Sequence, residues 1–289
     1  MTKPTPPFSA LAQLRADIDR IDAEMHRLLM ERGEIIDRLV AVKQTSESGS
    51  AFRPAREADM MRRLVARHHG RLPLDTVESI WRVIIATFTW VQAPYTVHAD
   101  LSAGEAVMRD VVRFHFGFTV PFVTHVGAAG ALAAVAASKG DLALVPAASL
   151  SGNGAWWTAL EAAGAPKIIA RLPFVERADH PAGLPTFVVA RPALDAVANE
   201  VTTVSVRVAG WGPQVASAIA PLADTIAAPD RALDGAMLLV SLPPERALDD
   251  VLVAMRQAGA SVRNTALVGG HASRYTVARD GAQPVPVGR

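Results

Sequence analysis

The chain has 289 residues, of which 50% are hydrophobic and 20% charged, with a formal net charge of +1 and no cysteine. That length is long for a single core and predicts two or three domains. The near-zero charge argues against nucleic-acid or membrane-surface binding, and the lack of cysteine excludes disulfides, thiol catalysis and thiolate metal sites.

Met1 to Ala10 is polar and Pro-rich, without the apolar segment of a signal peptide, and the Ala-rich run Val126 to Ala137 is too short to span a bilayer. A cytoplasmic location is therefore expected. The first long helix is predicted from about Ser9, a candidate cap, to Lys43. Apolar residues recur at Leu11, Leu14, Ile18, Ile21, Met25, Leu28, Ile35, Leu39 and Val42 in alternating steps of three and four.

Arg32 stands where that seam calls for another apolar residue. A buried guanidinium costs several kcal/mol unless an anion meets it, although an Arg that snorkels or pairs with a neighbouring Glu explains one such residue. Lys43 lies three turns further on and projects from nearly the same face, so two cations look into one space. Arg15 lies roughly 25 Å from Arg32 along the axis. If the three serve one small ligand, Arg15 comes from a second copy of the helix.

Thr45 to Ser50 reads as a flexible loop. Pro54 opens a second helix over about Ala55 to Arg67, striped by Met60, Met61, Leu64 and Val65. The adjacent His68 and His69 have no acidic partner at ligand spacing and read as a solvated helix end, so no metal is expected. A third helix, from Pro73 to about Val91, carries Val77, Ile80, Trp81, Ile84, Ile85, Phe88 and Gln92 on one face. Gln92 alone reads as a helix-end amide serving backbone carbonyls.

Beyond Pro94 strands and helices alternate. Strands are predicted at Tyr95 to His98, Phe122 to His125, Leu142 to Pro146, Ile168 to Leu172 and Thr186 to Ala190. Helices are predicted at Ala103 to Phe116, Ala128 to Ser138 and Trp156 to Ala163, with a Ser/Gly loop at Ser149 to Gly154. The alternation predicts an α/β layer with parallel strands. From Val201 the pattern is strand Thr202 to Val208, helix Pro213 to Leu222, weak strand Thr225 to Ala228, strand Met237 to Leu242, helix Glu245 to Ala258 and strand Val262 to Val268, a ferredoxin-like βαββαβ order. Asp280 to Arg289 is expected to be disordered. No phosphate-binding or dinucleotide fingerprint and no zinc-protease motif occurs, and no cofactor is expected.

The polar residues on the helical unit's inner faces are Arg15, Arg32, Lys43, Arg56, Glu57 and Gln92. Without a nucleophile or a carboxylate pair, such a set suits a compact dianion and electrostatic, conformational catalysis. The series Leu14-Arg15, Ile18, Ile21-Asp22, Leu28-Leu29, Glu31-Arg32, then Lys43, Arg56-Glu57 and Gln92 resembles the all-helical AroQ-type chorismate mutases over about residues 10 to 93.

The resemblance implies a three-helix, all-α domain in an intertwined homodimer. Arg15 of the partner copy and Arg32 would hold the carboxylates of chorismate, Lys43 and Gln92 would donate to its ether oxygen, Glu57 would accept from its ring hydroxyl, and Arg56 would support a carboxylate. The reaction would be the Claisen rearrangement to prephenate. Arg53 stands where some members have Asp, and Phe88 where some have a small hydroxyl residue; both would bear on substrate affinity.

Val112-x-Phe114-x-Phe116-Gly117, Gly140 to Pro146 and Pro185 to Val189 resemble prephenate dehydratase. The acid's register holds Pro185-Thr186-Phe187 with no matching hydroxyl, the family's Glu-Asn-Ser is Ala148-Ser149-Leu150, and residues 147 to 185 are too few for a second lobe. Thr186, Ser149 and Ser151 are candidate substitutes, explained as well by solvated loops. The final unit resembles an ACT domain, which in relatives binds phenylalanine. Gly269 to Arg274 only faintly resembles the effector motif, and a degenerate unit serving dimer stability or docking fits as well as an aromatic amino-acid sensor.

The expected architecture is thus multidomain: a mutase-like helical domain over 1–94, a degenerate dehydratase-like α/β region over 95–198 and an ACT-like unit over 199–289. The expected activity is chorismate mutase. The alternatives are a bifunctional mutase and prephenate dehydratase, an isochorismate pyruvate lyase using the same cations, and a non-enzymatic dimerising helix unit.

Overall fold

The structure, a computed structural model, describes residues 8–43, 51–147, 154–191, 200–230, 232, 234–277 and 285–286. It divides into two compact units, Met1–Glu47 and Ser48–Arg289, so the expected boundaries near 94 and 198 both fall within the second. No helix among the described residues is long and apolar enough to cross a membrane.

The first unit is one helix, α1 (Phe8–Lys43), of 36 residues and about 54 Å. It starts at Phe8, which places Ser9 inside the helix and not at its cap. The predicted seam is there, but Leu14 (59%), Ile18 (57%) and Met25 (50%) are exposed. Among the described residues the apolar stripe that should drive helix packing stays about half exposed along most of its length. The expected loop at Thr45 to Ser50 lies outside the described residues.

The second unit opens with α2 (Pro54–Arg67) and α3 (Leu74–Gln92), followed by β1 (Val97–Asp100), α4 (Glu105–Phe116), β2 (Phe122–His125), α5 (Ala128–Ala137) and β3 (Leu142–Pro146). A short 3₁₀ turn at Trp156–Leu160 replaces the expected helix and precedes β4 (Lys167–Leu172) and β5 (Thr186–Ala190). β1 lies between β2 and β3, parallel to both. The wholly parallel layer expected from alternation is corrected by β5, which runs antiparallel to both β3 and β4. The segment joining β4 to β5 contains no helix, and without a crossover the chain returns antiparallel.

One face of this sheet packs its Val97, Ala99, Leu142 and Leu144 against Met61 of α2, Ile85 of α3 and Met108 and Val112 of α4. The other face packs Val145, Phe187 and Val189 against Leu132 of α5 and the paired Trp156 and Trp157.

The remaining elements are β6 (Val201–Ala209), α6 (Pro213–Ile219), β7 (Asp224–Asp230), β8 (Gly235–Leu242), α7 (Leu248–Gln257) and β9 (Ser261–His271). Their strands lie in the order β9-β6-β8-β7, as a ferredoxin-like βαββαβ unit requires. β7 pairs with β8 along its whole length and is a full edge strand, not a weak one.

The two halves share one sheet, because β9 pairs in parallel with β4 and completes the order β2-β1-β3-β5-β4-β9-β6-β8-β7. Gly269 makes that junction feasible: its φ is +139°, and a Cβ there would stand 2.1 Å from the Ile168 carbonyl oxygen. Most of the tail expected to be disordered lies outside the described residues; Val285–Pro286 (β11) pair antiparallel with Tyr275–Thr276 (β10).

Candidate functional site

The cations expected to grip the ligand ride on one unbroken helix. Arg15 is exposed and Arg32 half-buried, while Lys43 is the last residue of α1. Unbroken helical geometry keeps Arg32 and Lys43 on nearly one face, about 17 Å apart along the axis, with Arg15 about 25 Å from Arg32.

In the second unit, Arg56 is exposed at the start of α2, Phe88 is half-buried, and Arg53 donates from Nη1 to the Phe52 carbonyl at 3.2 Å. The Gln92 amide donates from Nε2 to the Phe88 carbonyl at 2.9 Å, the helix-end arrangement that its position alone implies.

Glu57 is buried, and its Oε2 accepts from Nη1 of Arg82 at 2.7 Å. Arg82 also donates from Nη2 to the His115 carbonyl at 3.2 Å, and its guanidinium carbon lies 4.9 Å from the Phe174 ring centre. Burial pushes the Glu57 carboxyl above its ordinary range, against the pull of Arg82.

One turn before Arg82, the fully buried Glu78 accepts from Nη1 of Arg177 at 2.6 Å and faces His180 Nε2 at 3.4 Å. The amide of Ala182 donates to His180 Nδ1, which assigns the ring proton to Nε2, directed at Glu78. The His115 ring stacks on His180 at 6.0 Å, and burial, with Arg82 next, holds it well below its ordinary pKa.

This network corrects the predicted orientation of α3. Its buried residues are Val77, Glu78, Arg82, Ile85, Ala86 and Thr89, whereas Ile80, Trp81, Val83 and Val91 are exposed. Ion pairs turn a partly polar face inward because charges tolerate burial only when matched. Arg82, Arg177 and His180 are the residues that sequence reading missed. The available signal was the three-and-four spacing of Glu78, Arg82, Ile85 and Thr89, but their partners are remote in the chain.

Thr186, weighed as a substitute acid, is fully buried and donates its hydroxyl to the Leu184 carbonyl. Ser149 and Ser151 lie outside the described residues. His68 Nε2 and His69 Nδ1 pair with the carbonyls of Leu72 and Arg67. Among the described residues no cluster of His, Asp and Glu is arranged to hold a metal ion.

Residues 14–93 match the family model of chorismate mutase type II. Over 103 residues the chain is 32% identical to the bifunctional chorismate mutase/prephenate dehydratase of Neisseria gonorrhoeae, covering 36% of this chain and 27% of that protein. The chain thus matches about a quarter of the length of that relative.

Among solved structures, a prephenate dehydratase from Streptococcus mutans aligns at a TM-score of 0.34 and 12% identity, covering 62% of this chain and 98% of that one. GqqA, described as a novel type of quorum quenching acylase, aligns at a TM-score of 0.41 and 13% identity, covering 62% of this chain and 94% of that one.

Proposed function

We propose that this chain, whose residues 14–93 match the family model of chorismate mutase type II, rearranges chorismate to prephenate as a homodimer with composite sites. The family match carries the reading. Arg15, Arg32 and Lys43 all stand on the one helix α1, which supports the reading.

Each site takes Arg32 and Lys43 from one α1 and the partner subunit's Arg15 from the other. Arginine forks bind carboxylates bidentately, so two of them fix both acid groups of the substrate. Holding the enolpyruvyl side chain over the ring converts an improbable conformer into the resident one. Lys43 and Gln92 donate to the ether oxygen as its bond breaks, offsetting the charge that develops there. No proton transfer is required.

Glu57 already gives Oε2 to Arg82, so the grip on substrate is assigned first to the α1 cations, with Glu57 accepting from the ring hydroxyl through its remaining acceptor capacity. The exposed seam of α1 and the exposed Ile80, Trp81, Val83 and Val91 of α3 supply apolar surface for a two-fold partner.

The decisive experiment follows the loss of chorismate absorbance in the purified chain and assays the product for onward conversion. Prephenate alone is the expected result; no loss of chorismate overturns the proposal. A second reading, the bifunctional activity named for the Neisseria relative, predicts phenylpyruvate. The hydroxyl of Thr186, already given to Leu184, disfavours it. Offering isochorismate in competition tests the lyase alternative.

A further inference from the structure

Arg82 stands fully buried midway along α3 and is held on three sides. Nη1 donates to Glu57 Oε2 at 2.7 Å, Nη2 donates to the His115 carbonyl at 3.2 Å, and the Phe174 ring centre lies 4.9 Å from the guanidinium carbon. Only the first of these partners belongs to α2 and α3. His115 lies in the last turn of α4, where the final carbonyls lack partners within the helix and the helix dipole favours a cation. Phe174 lies two residues beyond β4, buried, with its ring toward the charge. The α/β region thus supplies two of the three holds on this guanidinium.

The clamp has a consequence for Glu57. A glutamate side chain samples many rotamers, and an acceptor serves a reaction best when it is fixed before the substrate arrives. Arg82 ties one oxygen of Glu57 and leaves acceptor capacity on the carboxylate. Its charge also opposes burial, which by itself favours the protonated acid. The other groups facing Glu57 are Arg56 and the Arg53 backbone amide, which pull in the same direction as Arg82, and Tyr95, whose phenol burial holds neutral.

We propose that Arg82 is a positioning residue for the rearrangement: clamped by α4 and Phe174, it aims the Glu57 carboxylate at the ring hydroxyl of the substrate. The proposal rests on the mutase reading and deepens it, because it makes the α/β region a working part of the mutase site. An ion pair that only tied α3 to α2 would affect stability and leave the folded enzyme's turnover alone.

The test is the pH profile of kcat/KM for chorismate, which reports groups of the free enzyme, in the full chain and well below each variant's melting temperature. Arg82→Met is expected to lower kcat/KM about tenfold or more near neutral pH, the order set by one hydrogen bond to a charged group. The loss should shrink as pH rises, because without the cation Glu57 ionises only at higher pH. Glu57→Gln is expected to lose about as much at every pH. Adding Arg82→Met to Glu57→Gln should cost nothing further, since Arg82 acts through Glu57. Arg82→Lys, which keeps the charge without the fork, is expected to fall between the wild type and Arg82→Met.

Wild-type kcat/KM in folded Arg82→Met, or a loss there that does not change with pH, overturns the proposal and leaves the mutase reading standing. Undiminished turnover in Glu57→Gln, or a further loss in the double variant, does the same. Absence of turnover in the wild type overturns both. Where Arg82→Met does not fold, Arg82→Lys decides: a reduced kcat/KM supports the proposal, and the wild-type value at every pH overturns it.

Discussion

Glu57 and Arg82 form an ion pair at 2.7 Å in which neither side chain is more than 5% exposed. Removing one member leaves the other buried without its counter-ion, which typically costs about 3–5 kcal/mol. Glu57→Gln and Arg82→Met are each expected to lose stability of that order in urea denaturation. The double variant should be less destabilised than the sum of the two, and strict additivity would show that the pair is not coupled.

The α1 cations carry the mutase proposal. Arg32→Ala and Lys43→Ala are each expected to lower kcat by roughly 10²-fold or more, as loss of one charge-stabilising donor does, with the far-ultraviolet circular dichroism unchanged. Wild-type turnover in either variant would remove that residue from the site.

Composite sites have an arithmetic signature. Arg15→Ala and Arg32→Ala homodimers should both be inactive, yet an equal mixture allowed to exchange subunits should recover roughly a quarter of wild-type activity. Half of the dimers then carry one intact site of two. No recovery on mixing would place both arginines in one protomer's site.

His271 sets a pH dependence. Its pKa is lowered in the folded state to about 4, from an ordinary value near 6.5. Protons therefore bind the unfolded chain first as pH falls. The stability contributed by keeping the ring neutral is complete above about pH 6.5 and is lost progressively toward pH 4, by up to about 3 kcal/mol. Glu200, drawn down to about 2 chiefly by Arg62, loses its contribution only as pH falls below the ordinary carboxylate range. Melting temperatures between pH 7 and 4.5 should decline in the wild type and decline less in His271→Phe; identical slopes would remove the histidine as the cause.

Gly269 tolerates no side chain. Gly269→Ala would bring a Cβ within 2.1 Å of the Ile168 carbonyl oxygen at φ +139°, and strain of this kind costs at least about 1–3 kcal/mol. Gly212, where nothing lies within 4 Å of an added Cβ and φ is not positive, is the control and should accept Ala with little change in melting temperature.

Periodicity made α1, β3 and β5 legible, because α1 keeps its apolar stripe on either side of Arg32 and the two strands are short, mostly apolar runs. The order of β6 to β9 was legible for the same reason. The facing of α3 was not. Its stripe of Ile80, Trp81, Ile84 and Phe88 is the obvious candidate for burial, and only the tertiary partners Glu57, Arg177 and His180 turn Glu78 and Arg82 inward. The antiparallel β5 was missed because strand direction depends on the path of the preceding connection. The cation series of α1 was legible as spacing, whereas the clamp on Arg82 arises where α3, α4 and the chain beyond β4 come together and leaves no local trace.

The junction of β4 and β9 also governs how this protein can be taken apart. Deleting everything after residue 198 would take β9 from β4 and turn β4, an inner strand of the sheet, into an exposed apolar edge, a template for aggregation. Trimming the gene to its first two-thirds should therefore yield insoluble material, and dissection by point substitution is the sounder route.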